Sequence, residues 1–443
     1  MIHIRLNDWR CNVWQLSINS TIACVAVALL AVVVGCSTGE VPPSTPPPVP
    51  NPTNPPVVVG HAPVFEKELM INDLSVVNDA RTAGPDGPWS FGGLMTKLAG
   101  ASDKKTFVLN WLTTWEAAQT VNDQQVAPRS TMRSIVIDGW KARDGQTGAS
   151  DATWNMNFAN APFRLLAIVN RIDLNRIDDP TDKTSGEGRF VFGVLSPSGD
   201  PLPFTVIFEY RLIGTDRERL RGWAQEWHAL GTLSFGSQFN SALQVITDKF
   251  SGAGGQLNQI RSNEIALGNP WELREFRIIG GALIETPTLQ TPANSFQNSA
   301  TLTHFIDQKE AEILDGDIRV PERFENAPLL AASSQVPFNF FWQAPGVQNN
   351  VARHKLASIT CNGCHHVETG TTSFLHVANR LPTEKAKLSG FLEGIKVKDP
   401  VNPAITNEFH DLKDRADILN AIATETGTIR LDALTQGRKA RVH

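Results

Sequence analysis

Between positions 102 and 119 the apolar residues Phe107, Val108, Trp111, Leu112 and Trp115 recur at helical spacing, which predicts an amphipathic helix with an aromatic face turned to the core. From Phe204 to Leu212 the period shortens to two. Phe204, Val206, Phe208, Tyr210 and Leu212 alternate with Thr205, Ile207, Glu209 and Arg211, predicting a strand with one strongly apolar face and one mixed face. The mostly apolar run 163–169 (FRLLAIV) reads as a strand covered on both sides. Further strands are expected at 188–195 and 272–279, and helices at 216–230 and 239–250. No internal repeat is visible between 59 and 345. Strands and helices in this irregular order imply an α+β fold and not a wound parallel sheet.

The N-terminal pattern is of another kind. Arg5 and Arg10 precede an apolar run at 21–34 (TIACVAVALLAVVV) that ends at Gly35 and Cys36. The run is short for a membrane span and suits a secretory signal. Val33-Val34-Gly35-Cys36 resembles the bacterial lipobox, in which the cysteine takes up lipid and becomes the first mature residue; the plain alternative is an ordinary signal or a buried apolar segment. The following stretch 41–56 (VPPSTPPPVPNPTNPP) cannot build a helix or a ladder and suits an extended tether between lipid and globule. Ser37, where Gram-negative sorting signals for inner-membrane retention favour Asp, points to the periplasmic face of the outer membrane. The expected organisation is therefore a signal at 1–35, lipidated Cys36 with a linker to 58, an α+β domain of undefined role at 59–345, and a small, mainly helical segment at 346–443.

Composition narrows the functional classes. The chain has 443 residues, 41% hydrophobic and 19% charged, with a net charge of −5, so it can bury a large core but offers no basic field for a nucleic-acid backbone. Of five cysteines, Cys11 and Cys24 fall in the signal and Cys36 at its end; only Cys361 and Cys364 remain, which excludes a disulfide-stapled scaffold. No G-x-G-x-x-G, P-loop, G-x-S-x-G or H-E-x-x-H pattern occurs, so no familiar catalytic motif marks the chain as an enzyme. Asp173, Asp178, Asp179, Asp182 and Glu187 crowd one segment, but the spacing breaks the EF-hand pattern and a solvated turn is expected. His228 has no carboxylate or cysteine three or four residues away and reads as a packed histidine.

The informative segment is Cys361-Asn362-Gly363-Cys364-His365, the C-x-x-C-H pattern of c-type haem attachment. Two thiols three residues apart share one turn and can each add to a vinyl group of one porphyrin, while the adjacent His365 supplies an axial iron ligand. Helical spacing of Ala352, Leu356 and Ile359 before the motif, and of Leu412, Ala416, Leu419, Ile422 and Ala423 near the end, gives it helical flanks. The same residues also admit a plain disulfide, a redox-active thiol pair, or zinc held by the cysteines with His365, His366 or His376. For a sixth iron ligand, His366 is too close to His365; His376 follows Gly370 and a run of small residues, and His410 precedes the last helix. His376, flanked by Phe374, Leu375 and Val377, is the expected second axial ligand.

The blocks 68–78 (ELMINDLSVVN), 163–174 (FRLLAIVNRIDL), 186–193 (GEGRFVFG) and 360–376 (TCNGCHHVETGTTSFLH) make the chain similar to a family of uncharacterised bacterial lipoproteins with a cytochrome c-like C-terminal motif. The resemblance spans most of the chain after the linker and implies the architecture, with one covalent haem c, and no particular activity. No Met follows Met156, so the distal Met of small cytochromes c is missing. The expected function is electron transfer with a periplasmic redox partner. A non-redox lipoprotein whose C-x-x-C-H site holds zinc or a disulfide is the alternative, and a haem-linked oxidoreductase a third class.

Overall fold

The computed structural model describes residues 60–214, 216–252 and 255–424. The expected signal, Cys36 and the proline-rich tether lie outside these residues. Nine strands form one antiparallel sheet: β1 (Met70–Ile71), β2 (Phe163–Arg171), β3 (Glu187–Leu195), β4 (Pro201–Arg211), β5 (Leu257–Glu264), β6 (Trp271–Leu273), β7 (Glu275–Ile279), β8 (Ala282–Thr286) and β9 (Ser334–Val336). Their order is β1-β2-β3-β4-β5-β6-β9, with β7 paired to β5 and β8 to β7. With helices set around this sheet the chain is a mixed α and β protein, as the irregular order of its patterns implies.

One face of the central strands is aromatic. Phe190 pairs with Phe208 across β3 and β4, and Phe208 with Ile260 across β4 and β5. Phe91 of the helix Phe91–Ala99 stacks on Phe163 at 3.9 Å and meets Phe192 and Phe208 edge-on, while Trp111 of the helix Lys104–Thr113 meets Phe276. Phe250, from the helix Ser237–Ser251, packs against Phe190. Gly188 lies on this face, where a Cβ would come within 2.5 Å of the Phe250 ring.

The other face carries charge and is buried as deeply. Arg189 pairs with Glu209, and Arg261 with Glu275, in register across β3 to β7. Their side chains form an alternating row in which Arg189–Glu187 is 2.5 Å, Arg189–Glu209 3.5 Å, Arg261–Glu209 3.5 Å and Arg261–Glu275 3.1 Å. Burial opposes the charge of Arg261, yet Glu209 and Glu275 drive its pKa further up. The mixed face expected on β4 is thus an interior surface. What covers it is the C-terminal stretch: Val377, Leu392, Leu412, Leu419 and Ile422 join the core of the sheet, and Asn379 donates to the carbonyls of Val194 and Leu202.

The described residues fall within one compact unit, so the stretch from 346 onward shares its core with the sheet. It holds the helices Asn350–Ile359 and Asp411–Thr424 and a hairpin of Ile395–Lys398 with Thr406–Phe409. Two sequence expectations change in detail. The strand expected at 272–279 breaks at Arg274, whose fully buried guanidinium binds Glu272 and the carbonyl of Ala127. In the acidic segment only the turn around Asp178 is solvated; Asp173 and Glu187 are buried and paired with Arg171 and Arg189. Among the described residues no helix is long and apolar enough to cross a membrane.

Candidate functional site

Thr360 breaks the helix Asn350–Ile359 and caps the single turn Cys361–Cys364, its Oγ1 accepting from Gly363 N–H at 3.1 Å. Trp342 Nε1 donates to both Thr360 Oγ1 and Asn362 Oδ1, and Cys361 N–H donates to Thr291 Oγ1 at 3.0 Å. At position 363 a Cβ would lie 2.1 Å from the carbonyl oxygen of Ala357, so this turn can only be made with glycine. Below it, Arg353 binds Glu368 through two nitrogens, at 2.9 and 3.1 Å, and reaches Asp399 at 2.7 Å. These contacts are buried and clamp the motif to its supporting helix.

Cys361 and Cys364 are 0% and 1% exposed and are not joined in a disulfide. Cys361 belongs to a core built around Trp271, Phe305 and Leu356, whereas Cys364 belongs to the core of the sheet. The turn is the seam between the two. Burial pushes the Cys361 thiol above its ordinary pKa, against the opposing pull of Arg261. Both thiols are sealed inside the protein.

His365 is 1% exposed and stacks on Trp271 at 5.0 Å. Its Nδ1 is 2.7 Å from the carbonyl oxygen of Phe374, an atom that can only accept, so Nδ1 carries the proton and Nε2 the lone pair. Phe374 presents that carbonyl from φ +62°, a left-handed conformation that costs a residue of this kind about 1–3 kcal/mol. Burial pushes the pKa of His365 down to about 4, the Phe374 bond working the other way, so the imidazole is neutral. The turn at Gly370, φ +71°, returns the chain so that His376 lies beside it, with ring centroids 4.4 Å apart. His376 Nδ1 is 2.8 Å from Ser389 Oγ and its Nε2 is 3.4 Å from Cys364 Sγ. Burial first, then His365 and Arg415, hold its pKa well below the ordinary value. His410 is elsewhere: half-exposed, with Nδ1 2.9 Å from Asp414. His366 is half-buried against Phe374.

Of the sequence-derived residues, Cys364, His365 and His376 converge, Cys361 shares their turn but packs into the other core, and His410 does not join them. By residue type the donor set suits haem c: two thiols on one turn, a neutral histidine of fixed tautomer after them, and a second neutral histidine beside it. The space is another matter. Between the two imidazoles and Met70, Val169, Val191 and Ile207 of the sheet lies a cavity of only about 50 Å³, so the described packing holds the donors together without opening a slot for the macrocycle.

Sequence reasoning missed a second cluster, since its members lie far apart in the chain. Glu68 sits between His61 and His228, and His354, Glu368 and Asp399 form another group. The His228 reading holds as far as burial, yet its carboxylate partner lies 160 residues away, where no local spacing could reveal it. No family model, curated protein or solved structure matches this chain.

Proposed function

We propose that this chain is an exported, lipid-anchored c-type haem protein that transfers electrons at the periplasmic face of the outer membrane. Cys361 and Cys364 hold the haem covalently, His365 is its axial ligand and His376 the second. One observation carries the reading: the histidine of a C-x-x-C-H turn is buried, neutral and fixed in one tautomer by a backbone carbonyl, the device by which proteins aim an imidazole at a metal. Ligation by two histidines favours a lower potential than ligation by histidine and methionine, and leaves little room for exogenous ligands, which suits electron transfer better than peroxide chemistry. The sheet and its helices then serve as the surface for a redox partner, and Cys36 as the lipid attachment.

The test is haem staining of a denaturing gel, on full-length protein exported in a host with working haem-attachment machinery. Wild type should stain and Cys364→Ser should lose much of the stain; Cys36→Ser should leave the membrane fraction. The 3.4 Å contact of Cys364 Sγ with His376 Nε2 favours a second reading, a non-redox site of thiols and imidazoles. Unstained wild-type protein whose zinc carries sulfur at about 2.3 Å in its shell would establish that reading and reject haem.

A further inference from the structure

We propose that His61, Glu68 and His228 form a binding site for one divalent transition-metal ion of the zinc class, separate from the C-x-x-C-H turn. Three elements supply the donors. His61 precedes the short helix Phe65–Glu68, Glu68 ends that helix, and His228 lies in the helix Arg217–Ala229. His61 Nε2 is 3.0 Å from Glu68 Oε1 and His228 Nδ1 is 2.7 Å from Glu68 Oε2, and the ligand atoms all lie within 4.8 Å of one another. Donors bound at about 2.0–2.2 Å to one tetrahedral ion are spaced by about 3.4 Å, so the two edges must open by roughly 0.4 and 0.7 Å, and the imidazoles, stacked at 4.0 Å, must splay for one ion to lie in both ring planes.

The surroundings favour a cation here. Glu68 is 0% exposed, and among the described residues its ion pairs are with the two imidazoles, not with a lysine or arginine. The neighbouring Lys67 turns away, to the carbonyls of Gly231 and Leu233. A buried carboxylate without a fixed positive charge is costly, and a divalent ion shared with two neutral imidazoles removes that cost. Steric provision is equally specific: a Cβ at Gly231 would fall 2.0 Å from Glu68 Oε1 and 2.3 Å from His61 Nε2, so the donors converge only over a glycine. The second triad, His354, Glu368 and Asp399, carries no such inference, since Arg353 already binds both of its carboxylates. Two histidines and a glutamate with His61 24% exposed leave a fourth position that water can reach, the pattern of a zinc site with an open position.

Metal-stripped full-length protein, titrated with zinc and followed by elemental analysis and zinc-edge X-ray absorption, tests this. The expected result is one equivalent with a first shell of nitrogen and oxygen at about 2.0–2.2 Å. His61→Ala, at the partly exposed donor, and Glu68→Gln should each weaken binding by at least about 100-fold, beyond what an outer-shell partner commands. The double variant Cys361→Ser, Cys364→Ser should bind as wild type does. Sulfur at about 2.3 Å in the zinc shell, the absence of stoichiometric zinc, or unchanged affinity in His61→Ala would each overturn the proposal, whatever the outcome of haem staining.

Discussion

The two faces of β3 and β4 are buried alike and held by opposite means. On one, Phe190, Phe192 and Phe208 meet Phe91 and Phe250 from two helices, and most of what such contacts contribute follows the apolar area buried, so a shifted ring keeps most of its neighbours. On the other, Arg189, Glu209, Arg261 and Glu275 depend on one another, and a buried charge that loses its partner there is left uncompensated. The candidate haem residues lie over the second face. They are positioned by the surface that tolerates displacement least, while the aromatic face supplies apolar burial that tolerates repacking.

Size-conserving substitutions separate the faces most sharply. Arg261→Met roughly keeps the volume but takes from Glu209 and Glu275 the cation they share, leaving them Arg189 and Arg277 alone, and should cost about 3 kcal/mol in urea unfolding. Phe208→Leu on the aromatic face should cost under about 1.5 kcal/mol, and equal losses would dissolve the contrast.

Acid titration gives the next largest effect, with opposite signs at two places. Burial pushes Glu264 and Glu285 up to about 7, in spite of Arg129 and Arg274 respectively. Between their ordinary 4.5 and 7 the folded chain holds protons that the unfolded chain gives up, so each makes stability fall as pH rises through that window, by about 3 kcal/mol at most. In haem-free protein His365, at about 4 against an ordinary 6.5, does the reverse: the unfolded chain takes up a proton that the folded chain refuses, and stability falls as pH drops from 6.5 to 4. Unfolding free energy against pH for wild type and Glu285→Gln should show the variant losing part of the decline between 4.5 and 7; identical profiles would reject the assignment.

Gly188 and Gly193 probe the faces from a single strand. Gly188→Ala drives a Cβ into the Phe250 ring, and Gly193→Ala into Asn379, 2.1 Å away, displacing its two hydrogen bonds. Each should cost about 1–3 kcal/mol. Only the loss at Gly193 should shrink when Asn379→Ala is added, because only there does the cost pass through one polar side chain.

The smallest effect is expected at His410, where the alanine variant should change stability by under about 0.5 kcal/mol and leave a low-spin haem spectrum unaltered. His376→Ala should turn that spectrum high-spin. A high-spin wild type, or a switch caused by His410→Ala alone, would overturn the ligand assignment.

The aromatic face was legible because period-two alternation in β4 and helical spacing at 104–113 both report burial directly. The charged face was not. Arg and Glu alternating on a strand look the same whether they meet water or one another, and the segment that buries them lies more than a hundred residues further on. Within the site, the turn at Gly370 and the nearness of His376 to His365 could be read from local sequence. The Phe374 carbonyl, the division of the two thiols between two cores, and the joining of His61 to Glu68 and His228 depend on backbone angles and distant pairings that spacing does not encode.

Sealing Cys361 and Cys364 into the seam between two cores also fixes an order of events. A reagent as large as a porphyrin reaches neither sulfur once Trp271, Leu356 and Val377 have closed around the turn. Covalent chemistry on these thiols therefore competes with folding in time, and the buried clamp of Arg353 on Glu368 and Asp399 helps to hold the turn once it has closed. On the proposed export route the chain arrives unfolded, and the interval between its arrival and the closing of the turn is when both sulfurs are open to modification.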